Sequence, residues 1–98
     1  MVSGDFEWDA AKALANSAKH GLTFDEAAFA LASDPNEIAF QDPIEPASVH
    51  SLVMSLRARV LLVVTTERGK RTRIVSARKA TPHEQRIYQG GQDGQAGP

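Results

Sequence analysis

The chain contains no cysteine. That removes a disulfide framework, a thiolate zinc site and a cysteine nucleophile, and it fits a reducing compartment. The three histidines, His20, His50 and His83, are scattered. No carboxylate–histidine cluster has metal-ligand spacing and no glycine-rich phosphate loop is present, so neither a metal nor a cofactor is expected. The longest apolar run, Val60 to Val64, falls far short of a membrane span. The N-terminus has no basic-then-apolar signal, so the expectation is a cytoplasmic protein without membrane contact. At 98 residues the chain has room for one domain and one modest core, not for a two-domain enzyme with a nucleotide-binding module.

The charge that is present is unevenly placed. Residues 1–56 hold two bases against nine acids, whereas residues 57–88 hold nine bases against two acids. The formal sum of −1 conceals this split. A basic stretch of that density suggests a phosphate-bearing or acidic partner. The other reading is that the two halves neutralise each other inside one fold.

Local signals divide the chain cleanly. Phe6 and Trp8 share one side of a short extended segment. Asp9 is an N-cap, and Ala11, Leu14, Ala15 and Ala18 follow with helical spacing as far as Gly21, a left-handed stop. A second helix opens with a Thr23–Glu26 capping box and a Leu22–Ala27 hydrophobic staple, and it ends before Asp34-Pro35. Residues 37–41 read as a short strand and Val49–Leu56 as another, with a tight turn over Leu56–Arg59. Val60–Thr66 is β-branched and apolar on both faces, the mark of a central strand. Glu67–Lys70 reads as a hairpin turn around Gly69, and Arg71–Arg78 as the returning strand. Thr81-Pro82-His83-Glu84 starts a last helix that runs to about Gln89. The expected class is α+β, with helices on one face of an antiparallel meander and the other face free. The domain spans 1–89, and 90–98 reads as a flexible Gly-rich tail.

Several residues carry potential chemistry. Arg71, Arg73, Val75 and Ala77 alternate with Thr72, Ile74, Ser76 and Arg78. Ile74 is the natural core residue, which sends Arg71 and Arg73 to the open face. Arg78 joins them there only if the strand ends or bulges before it. Guanidinium forks on an open face suit a phosphodiester backbone, and arginine–glutamate cross-strand pairs are the structural alternative. His50, on the neighbouring strand, is either structural or a general acid–base. Tyr88 either packs in the core or offers its hydroxyl to a phosphate. The capping role of Glu84 already explains it. Lys12, Asn16, Lys19 and His20 fall on one polar side of the first helix, and Asn16 is unexpected in a helix interior.

These residues also resemble a family. Phe6-Glu7-Trp8-Asp9, Lys12, Asn16, Lys19-His20-Gly21, Phe24 and Glu26-Ala27 look like the opening of the BrnT toxins. The second half agrees through Leu62-Val63-Val64, Thr66-Glu67-Arg68-Gly69, Arg73-Ile74-Val75-Ser76-Ala77-Arg78-Lys79-Ala80, Glu84 and Tyr88. The resemblance covers residues 6–88. It implies a RelE-like fold, with two N-terminal helices and a C-terminal helix packed on a mainly antiparallel sheet. It also implies a type II toxin that cleaves RNA without a metal, through attack of the RNA's own 2′-hydroxyl, and so halts translation. A BrnA-type antitoxin would neutralise it and carry the complex to operator DNA. On that reading Arg73, Arg78, His50 and Tyr88 form the catalytic set, and Lys19, His20, Arg71 and Lys79 bind RNA. The chain departs from the family pattern in the middle. His50 stands where an arginine is usual, Ser55 stands near a usual glycine, and the following turn is short. A catalytically weakened homologue, acting as partner in an antitoxin–operator complex, is the alternative, and a generic nucleic-acid-binding domain is a third.

Overall fold

Each helix begins where a side chain can satisfy its first amides. In the computed structural model, which describes residues 2–93, the Asp9 carboxylate accepts from the amides of Ala11 and Lys12 and opens α1 (Ala10–His20). Gly21, at φ 71°, closes it and donates its amide to the Ser17 carbonyl. Thr23 caps α2 (Phe24–Ser33) by accepting from the Glu26 amide. The staple residues Leu22 and Ala27 are both buried. The predicted box is only half closed. The Glu26 carboxylate turns away to fork onto Arg59, at 2.7 and 2.9 Å. At α3 (Pro82–Asp93) the box is complete: Thr81 accepts from the Glu84 amide and Glu84 from the Thr81 amide.

Six strands form one sheet: β1 (Val2–Ser3), β2 (Phe6–Glu7), β3 (Ile38–Gln41), β4 (Ser48–Met54), β5 (Val60–Arg68) and β6 (Arg71–Lys79). Their spatial order is β1-β2-β6-β5-β4-β3. The β2–β6 pair is parallel and the others antiparallel. The hairpin turn is shorter than predicted, because β5 continues through Arg68 and leaves only Gly69, at φ 61°, and Lys70 between strands.

Alternation along the strands builds two cores. Val53, Leu61, Val63, Ile74 and Ala77 face α1 and α2, together with Trp8, Leu22 and Phe24. Trp8 and Phe24 meet edge to face at 6.1 Å. Leu52, Val60 and Leu62 point the other way, where Ala80 and Tyr88 cover them. The third helix therefore packs on the opposite face from the first two, which corrects the expectation of helices on one face. The cause is β5 itself. A strand apolar on both sides needs cover on both sides.

A second correction concerns α1. Its predicted apolar face, Ala11, Leu14, Ala15 and Ala18, is exposed, and Leu14 is 75% accessible. The helix turns Asn16 inward instead. Asn16 Nδ2 donates to the Ala77 carbonyl at 2.8 Å, and its Oδ1 accepts from the Ala77 amide at 3.2 Å. β2 pairs β6 only at Thr72 and Arg73, so the outer edge of Ala77 needs other partners. Two buried unpaired peptide groups cost about 1–3 kcal/mol each, more together than the roughly 1.5–3 kcal/mol gained by burying one leucine. Residues 14 and 16 point about 200° apart on a helix, so only one of them can face the sheet.

The third correction is at the C-terminus. Residues 90–93, expected in the tail, continue α3 to Asp93. Residues 94–98 lie outside the described residues.

Candidate active site

The part of the sheet that α3 leaves uncovered presents a compact set of polar groups. The register fixes its rows. Phe40 lies beside His50, His50 beside Val64, and Val64 beside Ser76. One row nearer the hairpin turn are Ser48, Thr66 and Arg73, and one row nearer α3 are Ile38, Leu52, Leu62 and Arg78. His50 and Ser76 are two strands apart, roughly 10 Å.

A bulge makes this grouping. Val64 pairs with Ser76 but Thr65 pairs with Ile74, which leaves Val75 as the extra residue of β6. Such an insertion shifts the alternation by one. Ile74 and Ala77 consequently both enter the covered core, although simple alternation had put them on opposite faces. Arg71, Arg73, Ser76 and Arg78 all fall on the other face. The bulge that Arg78 required is present.

Every basic side chain at the centre of this face has a carboxylate partner. His50 Nε2 lies 2.9 Å from Asp42 Oδ2, and its ring stacks on Phe40 at 5.5 Å and 27°. The amides of Glu45 and Ile44 bind Asp42 Oδ1 and, with His50, hold the carboxyl below its ordinary range. An ionised carboxylate accepts only, so Nε2 carries a proton toward Asp42, and in the singly protonated tautomer this fixes, Nδ1 is the acceptor. Arg73 Nη1 donates to Glu7 at 2.8 Å. Arg78 forks onto Glu84 at 2.8 and 2.9 Å and also donates to the Lys79 carbonyl. Arg78 first, then the Thr81 amide, carries the Glu84 carboxyl down to about 2 against the opposing effect of burial. Among the described residues Arg73 has committed one N–H and Arg78 three of the five that a guanidinium owns. Arg73 thus retains more capacity for an incoming phosphate.

Charge neutralisation between the halves is also real. Arg59–Glu26 and Arg73–Glu7 each join a base of the second half to an acid of the first. Arg71 and Lys79 stay exposed.

The remaining predicted residues are elsewhere. Lys79 pairs with Leu61 and leaves the sheet on the α1 side. Lys19 and His20 end α1, in the layer behind the sheet, with Lys19 exposed and His20 half-buried. Tyr88 is buried beneath α3 and donates to Asp34 Oδ2 at 2.8 Å. Burial, reinforced by that carboxylate, pushes its hydroxyl up to about 12. Asp34 also accepts from the amides of Met54 and Asn36. Burial opposes its ionisation, but these donors outweigh it and keep the carboxyl low. Asp34 so joins the end of α2 to β4 and α3.

Sequence reasoning missed Asp42 and Phe40. The Asp42-Pro43 pair signalled a loop, and nothing local shows that this loop brings a carboxylate back to His50. Among the described residues no three His, Asp or Glu side chains gather where they could hold a metal ion. No described helix is long and apolar enough to cross a membrane.

Comparison with known proteins gives two findings. A family model described as the ribonuclease toxin, BrnT, of type II toxin–antitoxin systems matches residues 8–84. The crystal structure of the Brucella abortus ribonuclease toxin BrnT superposes with a TM-score of 0.64 at 23% identity, covering 78% of this chain and 95% of that one. At that identity the likeness concerns the fold alone. No curated protein matches the chain.

Proposed function

The chain belongs to the BrnT family of ribonuclease toxins of type II toxin–antitoxin systems, and from that premise we propose that the open sheet face is where it cuts RNA. The observation that carries this reading is the bulge at Val75, which gathers Arg73 and Arg78 on the face that holds the Asp42–His50 pair.

The chemistry follows from these groups. An RNA strand lies across β4, β5 and β6. His50 takes the proton of a ribose 2′-hydroxyl through Nδ1, with Asp42 fixing the ring. The 2′-oxygen bonds to the adjacent phosphorus and the bond to the 5′-oxygen breaks, leaving a 2′,3′-cyclic phosphate and a 5′-hydroxyl. The proton returns to the departing oxygen from His50 or water. Arg73 meets the charge that builds on the phosphoryl oxygens, and Arg78, held rigid by Glu84, contributes from the adjacent row. Tyr88 acts beneath the site by seating α3 through Asp34. Arg71 guides the strand at the hairpin end. Lys19, His20 and Lys79 lie on the other side of the sheet and serve RNA beyond the cleavage point or the antitoxin. No metal takes part. The architecture is RelE-like, and the protein acts in the cytoplasm, where cleavage halts translation. A BrnA-type antitoxin neutralises it, and operator DNA is reached only through that partner.

Induced expression in a bacterial host, with mapping of RNA 5′ ends, tests the reading. Growth arrest with new ends, both lost in Arg73→Ala and Arg78→Ala, is expected. Normal growth and intact RNA, with folded protein in the cells, would contradict it. That result would favour a catalytically weakened partner in a repressor complex, a reading supported by the fork that occupies Arg78 and by histidine standing where the family usually has arginine.

A further inference from the structure

We infer that Phe40 is a stacking platform for one nucleobase of the RNA and so selects which phosphodiester reaches His50. The inference rests on the reading of the open face as an RNA site. Phe40 lies on β3, one of the two edge strands, where among the described residues no further strand flanks it. Trp8, Phe24 and Tyr88 are buried and the exposed Phe29 belongs to α2, whereas Phe40, 44% exposed, stands on the uncovered face of the sheet. One side of its ring meets the His50 imidazole, at 27° between planes. With 44% of the residue accessible, part of the side chain is open to solvent.

An exposed aromatic beside arginine-bearing strands is a device by which single strands are held without base-edge readout, because every base has a π-face. Here the stack has a second consequence. Phe40 and His50 are direct cross-strand neighbours. A base lodged on Phe40 fixes its own ribose and phosphate beside the imidazole, and the strand then continues over Val64 and Ser76 toward the two arginines. The Asp42 loop follows directly after β3, so the residues that hold the base and the residue that orients His50 belong to one segment. Phe40 is accordingly a substrate-binding residue, and Asp42 a positioning residue that acts through His50.

The test uses the full chain and a fluorescein-labelled, single-stranded 12-mer with every ribose 2′-O-methylated, which cannot be cut. Affinity is read by anisotropy for the wild type, Phe40→Leu and Phe40→Trp, with thermal melts alongside. Loss of one base–aromatic stack weakens binding by about tenfold, so Phe40→Leu is expected to lose about that much and Phe40→Trp to keep wild-type affinity. Cleavage of the unmodified 12-mer should spread over more positions in Phe40→Leu, with KM raised more than kcat is lowered. Two results would overturn the platform while leaving the RNA site standing: unchanged affinity in folded Phe40→Leu, or equal loss in Phe40→Leu and Phe40→Trp. Failure of the wild type to bind the 12-mer at all would instead remove the RNA reading, and the platform with it.

Discussion

On one side of the sheet, α1 and α2 bury Val53, Leu61, Val63, Ile74 and Ala77, and the polar insertion Asn16 has both its bonds made to backbone. On the other side, α3 covers Leu52, Val60 and Leu62 and stops. Beyond it lie His50, Ser76, Arg73 and Arg78, partly buried, with side-chain carboxylates bound to three of them. The covered side uses polar groups to complete the fold. The open side holds polar groups in fixed orientation while leaving them accessible, which is what a preorganised site requires. Stability and the proposed chemistry are thus divided between two faces of the same strands.

The sharpest way to break this division is Arg73→Ala. It should lower RNA cleavage by about a hundred- to a thousandfold, as loss of a transition-state charge partner does, while unfolding free energy changes by no more than about 1 kcal/mol. Single-turnover rates and chemical denaturation check both halves. The opposite outcome is expected for Asn16→Ala. It orphans the amide and carbonyl of Ala77 and should cost about 2–3 kcal/mol in denaturant melts, with cleavage per folded molecule retained.

Glu84 sits at the seam between the faces, and its effect depends on pH. Its carboxyl is carried from its ordinary value down to about 2 in the folded protein, chiefly by Arg78. A depressed carboxyl stabilises the fold above the unfolded value near 4.5, and that contribution drains away as pH falls toward 2. Glu84→Gln should therefore be about 1 kcal/mol less stable than wild type at pH 7, and the two curves should converge by about pH 2. A gap that persists there would point to packing rather than ionisation. The smallest effect is at Ala58, a non-glycine residue at φ 59° in the turn between β4 and β5. Ala58→Gly should raise stability by about 0.5 kcal/mol with no change in cleavage, because the left-handed conformation is costly for any residue with a Cβ.

Much of the fold was legible wherever a signal is local. Asp9, Thr23 and Thr81 cap the helices they were expected to cap, and Gly21 and Gly69 take the left-handed conformations their positions demand. The run Val60–Thr66 lies in a central strand. What escaped the sequence depends on distant partners. The unpaired edge of Ala77, sixty-one residues away, decides the facing of α1 and overrides the apolar spacing of Leu14. Glu26 abandons its capping box because Arg59 offers a charged fork. The side chosen by α3 follows from the two-faced β5, whose apolar residues on both faces are visible in the sequence while the helix that covers the second face is not. α3 also passes Gly90, which costs about 1 kcal/mol in a helix, because the complete box at Thr81 and the buried Tyr88 have already anchored it. For the candidate site, the arginines and His50 were visible as residue types. The bulge that groups them depended on pairing with β5, and Asp42 on the return of a loop.

Whether the open face cuts RNA is read most directly with purified protein. Wild type, His50→Ala and Arg73→Ala are incubated with a defined single-stranded RNA in the presence of EDTA, and the product ends are analysed chemically, with melts confirming the fold of each. Wild type should leave 2′,3′-cyclic phosphate and 5′-hydroxyl ends despite the chelator, and both variants should lose them. Undiminished cleavage by both folded variants would contradict it and place the chemistry elsewhere on the molecule.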